Sequence, residues 1–207
     1  TSRALGPLGL ISLGSDSISG FDAWSAGRMQ GARYESGLDN SPMYDCKSKD
    51  QQDHCDFWDA ASGTMQLVDT GMSSMAANEA YALAELAEAI GRQADASALR
   101  AQGDAYAAAI REHLWDKERA IYANLVLTNS TLSKRISPTS FYPLMLGSAD
   151  EEDDARAAAM IAQWLTNASR FCIGNRTDEC HWGLPSISAD DDSYTALGYW
   201  RGFVWGP

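Results

Sequence analysis

The apolar residues of this chain follow a helical rhythm in three stretches and lose it between them. Met72, Met75, Ala76, Ala80, Leu83, Leu86, Ala87 and Ile90 recur at intervals of three and four. That spacing predicts a helix from Gly71 with these side chains on one inward face and Gly91 as its stop. Leu99, Tyr106, Ile110 and Leu114 continue the rhythm in a second helix, from Asp95 as N-cap to Trp115. The link between the two is short, so they should pack antiparallel. A third helix starts in the acidic run 150–154 and continues through Met160, Ile161, Trp164 and Leu165. Acids in a first turn complement the helix dipole, which accounts for that run without a calcium site. Phe21, Trp24 and Met29 predict a shorter helix over residues 21–29.

Between the helices the pattern is extended or irregular. Met65, Leu67 and Val68 form a short run that ends at Asp69, and Ile121, Tyr122, Leu125 and Val126 suggest a short strand. Loops rich in aromatics and acids separate the helical pairs, and no 34- or 40-residue sequence repeat is visible. A closed ring of helix pairs is therefore expected rather than an open superhelical array. In a closed ring one set of loops converges on a central pocket.

Composition narrows the partners. In 207 residues, 45% are hydrophobic and 21% charged, the balance of a globular protein able to bury a core. A formal charge of −12 argues against a nucleic-acid or anionic-membrane surface, which needs clustered Lys and Arg. No apolar run reaches the roughly 18 residues needed to span a bilayer. The cysteines fall in two close pairs, Cys46 with Cys55 and Cys172 with Cys180, which suggests two local disulfides although four cysteines allow three pairings. No Cys-x-x-Cys occurs and the three histidines form no ligand motif, so neither a metal nor another cofactor is expected. Three glycosylation sequons begin at Asn129, Asn167 and Asn175. Together with paired cysteines they favour a secreted protein, or one in the secretory-pathway or vacuolar lumen.

The candidate chemistry lies in Tyr34-Glu35-Ser36-Gly37-Leu38-Asp39-Asn40-Ser41-Pro42, where two carboxylates, an aromatic, a glycine and a proline crowd into a stretch read as a loop. Cleaving a glycosidic bond takes one carboxylic acid to protonate the leaving oxygen and a second carboxylate across the sugar ring, roughly 6.5–9.5 Å away when the enzyme inverts. Asp39 is the candidate acid. Sugars present flat apolar faces and hydroxyl edges, and Tyr199, Trp200, Arg201 and Trp205 offer stacking planes and a polar fork near the C-terminus. Taken singly, these residues also fit turn-forming and core roles.

The stretch from Tyr34 to Pro42 resembles the Glu-Ser/Thr-Gly-x-Asp-Asn-Ser-Pro signature of glycoside hydrolase family 63 and the mannosylglycerate hydrolase-like enzymes, and family 37 trehalases carry a similar Glu-Ser-Gly-Trp-Asp. Further matches follow in order: Val68-Asp69 before a long helix, Leu114-Trp115-Asp116, Ser140-Phe141-Tyr142-Pro143-Leu144, Gly183-Leu184-Pro185-Ser186 and Tyr199-Trp200-Arg201-Gly202 with Trp205. The resemblance implies an all-α (α/α)6 barrel and an inverting α-glycosidase acting on an α-linked glucoside or mannoside. It implies Asp39 as general acid, and Tyr34, Gly37, Tyr199, Trp200, Gly202 and Trp205 in the sugar pocket. Glu35 and Arg201 fall in the same motifs, either in the pocket or bracing the loop through a salt bridge. Leu38 stands where many relatives have Trp.

The family's base is a glutamate well downstream of Tyr-Trp-Arg-Gly, and this chain ends before it. Residues 1–207 are therefore expected to be part of one catalytic domain that continues beyond the C-terminus, with the remainder of its own polypeptide as partner. The rival is a non-catalytic carbohydrate-binding or structural glycoprotein that retains the barrel. Trehalase proper is a weaker reading, because it shares only the acid motif.

Overall fold

The computed structural model describes residues 8–15, 27–45, 57–172 and 183–203. In chain order the elements are β1 (Ser12–Gly14), α1 (Met29–Glu35), β2 (Trp58–Asp59), β3 (Thr64–Val68), α2 (Thr70–Ala89), α3 (Gln93–His113), β4 (Trp115–Asp116), β5 (Ile121–Tyr122), β6 (Leu125–Val126), β7 (Thr131–Leu132) and α4 (Glu151–Met160). Short 3-10 turns cover Pro42–Tyr44 and Pro138–Leu146.

The helical pair forms as its pattern requires. Asp69 caps α2, its Oδ1 accepting from the N–H of Met72 at 2.7 Å. Gly91 ends the helix with a φ of 79°. α3 returns antiparallel: the Tyr81 hydroxyl donates to Asp104 at 3.0 Å, and Glu88 pairs with Arg100. Tyr106, Ile110 and Leu114 of the second helix are buried as expected. This helix starts at Gln93, two residues early, and Asp95 lies in its first turn paired with Arg92 instead of capping it. Asp150 caps α4, its side chain accepting from the N–H of Asp153 at 3.0 Å.

The inward face assigned to α2 is corrected. The buried residues are small: Ser73, Ser74, Ala77, Ala80, Ala84 and Ala87. Met75, Leu83, Leu86 and Ile90 are exposed, Leu86 by 63% and Ile90 by 72%. The helix is apolar on both sides, and the smaller residues face the close contact.

The all-α expectation is also corrected. A five-stranded antiparallel sheet pairs β3 with β1, β2 and β6, and β6 with β7, while β4 and β5 form a separate hairpin. β3 coincides with the extended run of Met65, Leu67 and Val68, and β5 and β6 with that of Ile121, Tyr122, Leu125 and Val126. One core cluster, including Val68, Ile110, Leu114, Phe141, Met160 and Trp164, joins the helices to the β4–β5 hairpin. A second, including Leu13, Ala32, Met43, Tyr44, Met65, Leu67 and Ile187, lies beneath the acidic motif. The sheet thus provides the platform on which that motif rests. The expected helix over residues 21–29 falls largely outside the described residues, and the helix seen here, α1, begins at Met29.

Candidate active site

Tyr34 and Glu35 are not in a loop, as expected from sequence; they form the last turn of α1. Ala32 and Arg33 are its buried positions, so a short amphipathic pattern is hidden by the acids and glycine that follow. The helix ends where the Ser36 hydroxyl donates to the carbonyl of Arg33 at 2.6 Å. Gly37 takes a φ of 70°, a left-handed conformation that L side chains avoid. Ser41 then accepts from the N–H of Met43, and Pro42 opens the next 3-10 turn. Asp39 sits at the bend between these two fixed ends, its carbonyl accepting from the Gln30 side chain at 3.2 Å.

The last described turn meets this bend. The Tyr199 hydroxyl donates to Asp39 Oδ2 at 3.2 Å, and the Asn40 amide donates to the carbonyl of Tyr199 at 3.2 Å. Trp200 is buried with a φ of 57°, unusual for a bulky residue. Gly202, at a φ of 147°, donates its N–H to Ser186 Oγ at 3.0 Å; a Cβ there would lie 2.4 Å from the carbonyl oxygen of Thr195. Its glycine therefore serves the close fold of the turn.

Beside this junction is a cavity of about 730 Å³. Tyr34, Glu35, Gly37 and Leu38 line it from the acid motif, Met72, Met75, Asn78 and Glu79 from α2, Tyr142 and Met145 from the 3-10 segment, and Trp200 from the last turn. Asp39 and Tyr199 are not among the lining residues; they adjoin Leu38 and Trp200, which are. Glu35, on the cavity wall, and Arg201, away from it, each hold a further contact. Glu35 accepts from the N–H of Gly14 at 3.0 Å, and Arg201 donates to Asp45 Oδ2 at 2.7 Å. Trp205 lies outside the described residues.

Two further acids belong to this region: Asp69 of the Val68-Asp69 motif, which lines the cavity with Tyr44, and Asp45, which no motif marks and which is not among the lining residues. Asp69 is buried, with Oδ2 accepting from the Tyr44 hydroxyl at 2.9 Å and from Asn124 at 3.4 Å, while Asn124 Oδ1 accepts from the N–H of Thr70 at 2.9 Å. Burial pushes the Asp69 carboxyl above its ordinary value, against the opposing effect of these hydrogen bonds. Burial and the charge of Asp69 push the Tyr44 phenol well above its own. Asp45 accepts from Arg33 at 2.9 Å as well as from Arg201. Val68-Asp69 before a long helix is a visible motif, whereas Asp45 carries no signal, because its partners are brought to it only by the fold.

Among the described residues no cluster of His, Cys, Asp or Glu is arranged to hold a metal, and no helix is long and apolar enough to cross a membrane. Cys172 is disulfide-bonded. Cys46, Cys55 and Cys180 lie outside the described residues, so the expected pairings do too. The sequons at Asn129 and Asn167 are described and that at Asn175 is not.

Comparison with known proteins converges on one family. The model of the mannosylglycerate hydrolase MGH1-like glycoside hydrolase domain matches residues 18–207. A mannosylglycerate hydrolase of Rubrobacter radiotolerans is 34% identical over 125 residues, covering 59% of this chain and 26% of that protein. Mannosylglycerate hydrolase MGH1 of Selaginella moellendorffii is 29% identical over 92 residues, covering 44% of this chain and 16% of its own. The structure of the GH63 mannosylglycerate hydrolase of Thermus thermophilus in complex with glucose aligns with a TM-score of 0.60 at 20% identity, over 84% of this chain and 44% of that one. The fold is shared with that enzyme, and the chain spans less than half the length of each of these relatives.

Proposed function

The chain belongs to the mannosylglycerate hydrolase MGH1-like glycoside hydrolase family, and from that premise we propose that it forms part of an inverting α-glycosidase with Asp39 as its general acid. The contact between Tyr199 and Asp39 carries this reading. It joins the two most specific motifs of the chain beside a cavity lined by Tyr34, Tyr142 and Trp200, which sets aromatic stacking faces near the acid half of the carboxyl pair that sugar cleavage requires. In the reaction Asp39 protonates the departing glycosidic oxygen, while a second carboxylate, across the ring, draws a proton from the attacking water. That base is a glutamate supplied by sequence downstream of residue 207. Tyr34, Glu35, Gly37 and Trp200 face the sugar from the cavity wall, and the motif of Tyr199, Arg201, Gly202 and Trp205 completes the proposed subsite beside it.

The substrate of this reading is an α-linked glucoside or mannoside. Its support is the glucose in the Thermus enzyme and the names of the curated relatives. The whole of residues 1–207 belongs to one (α/α)6 domain, and the exposed stripe Met75, Leu83, Leu86 and Ile90 receives its remaining helices. Four such apolar side chains on one helix are otherwise costly to leave in water.

The same proposal routes the protein through the secretory pathway, to the exterior or a vacuolar lumen. Its supports are the paired cysteines and the three sequons. Asn129 is exposed, its Oδ1 accepting from the Thr131 hydroxyl at 2.7 Å; Asn167 repeats that turn with Ser169 at 2.8 Å.

A panel of α-linked disaccharides and glycosides, offered to the complete protein, tests the reaction. Release of a sugar whose first-formed anomer is β is expected. An α product, or no release from any member, contradicts the proposal.

A further inference from the structure

We propose that Asp45 is a positioning residue for the acid: it clamps the Tyr199–Gly202 turn so that the Tyr199 hydroxyl meets Asp39. The proposal rests on the reading of Asp39 as general acid. Its observation is a three-member buried ion cluster. One oxygen of Asp45 accepts from Arg33 of α1 at 2.9 Å and the other from Arg201 at 2.7 Å, with side-chain exposures of 5% for the acid and 8% and 14% for the arginines. Arg33 also donates to the carbonyl of Tyr44 at 3.0 Å, so the acid is itself held.

The position of this clamp matters because of what lies beside it. Asp39 precedes Asp45 on the far side of the 3-10 turn at Pro42–Tyr44. Tyr199 and Arg201 flank Trp200, whose left-handed backbone persists only where its surroundings over-determine it. The cross-links from Asn40 to this turn, at 3.2 and 3.5 Å, are longer than the Asp45 bond. Charge-assisted bonds are the stronger kind, and here both partners are shielded from water. Without the carboxylate, two guanidinium groups face each other with no anion between them. The turn then relaxes, carrying the Tyr199 hydroxyl from Asp39.

A double-mutant cycle in the complete protein distinguishes this role from general stabilisation. Asp45→Asn is expected to lower kcat roughly 10-fold, the loss that removing the Tyr199 hydroxyl itself would bring, and Asp45→Glu to recover part of it. In a Tyr199→Phe background the same change should cost less than about threefold, since the contact it serves is already gone. Should Asp45→Asn fail to fold, Arg201→Lys keeps the Arg33–Asp45 pair and should show the same non-additivity with Tyr199→Phe. Equal losses in both backgrounds, or a kcat that does not fall, overturns the proposal. Asp39→Asn is the control. If it keeps turnover, the acid reading itself fails and this inference with it; if it is inactive and the cycle is additive, only the positioning role fails.

Discussion

The hydroxyl of Tyr199 donates to Oδ2 of Asp39 at 3.2 Å, across 160 positions of sequence. A hydroxyl bonded to one carboxyl oxygen fixes the rotation of the group and so the direction in which the other oxygen points. For an acid that must deliver a proton to one glycosidic oxygen, that orientation is part of catalysis.

Removing the hydroxyl should therefore act on turnover more than on binding. Tyr199→Phe in the complete protein is expected to lower kcat by roughly 10-fold, the scale of one hydrogen bond to a charged group, with KM changed by less than about threefold. Steady-state kinetics decides it. A loss confined to KM would make Tyr199 a binding residue alone.

The exposed face of α2 makes a prediction about stability. Leu86→Glu in the complete protein should cost about 2–3 kcal/mol, because a buried leucine contributes roughly 1.5–3 kcal/mol and the carboxylate adds a desolvation cost. Chemical denaturation measures it. An unchanged midpoint would mean that solvent, not another helix, covers Leu86.

How much of this was legible in sequence varies by element. The starts of α2 and α4 were close to legible, from periodicity and from acids gathered in a first turn. The cap read from sequence, Asp95, instead lies inside α3, while the caps are made by Asp69 and Asp150. The face of α2 was misread because both of its sides are apolar, and periodicity reports a stripe without saying what covers it. The extended runs at β3, β5 and β6 were visible in sequence, but not β1, β2 or β7, nor the pairing that joins strands into a sheet, because that pairing is made between distant segments. In the candidate site, Tyr34, Gly37, Leu38 and Trp200 line the cavity, and Tyr199 reaches Asp39 beside it. Asp45 was invisible, and so were the Tyr44 and Asn124 partners that form a network with Asp69, since these contacts depend on residues that only the fold brings together.

That network sets a pH dependence. The folded Asp69 carboxyl is raised above its unfolded value near 3.8, so the native state holds its proton more tightly than the unfolded chain does. Its contribution to stability is fully present below 3.8 and is lost as pH rises through the raised value. Asp69→Asn removes that loss but sets an amide against the Asn124 donor, at a cost of about 1–3 kcal/mol. The variant should be less stable than wild type at about pH 4, and the gap should narrow towards about pH 7. Urea titrations at the two pH values measure it; a gap that widens would contradict the burial argument.

The glycan sites are separable from the chemistry. Asn129→Gln should remove one glycan's mass from protein secreted by a eukaryotic host and leave kcat unchanged, as judged by intact mass and sugar release. A variant of unaltered mass would show that this sequon is not used.

The central claim is that Asp39 delivers the proton. Turnover of an α-glycoside by Asp39→Asn in the complete protein, measured alongside sugar binding by calorimetry, tests it most directly. A rate about 10³-fold lower, with sugar affinity within a few-fold of wild type, is the expected result, on the scale of general acid catalysis. Turnover within about 10-fold of wild type would contradict it and move the acid elsewhere in the molecule.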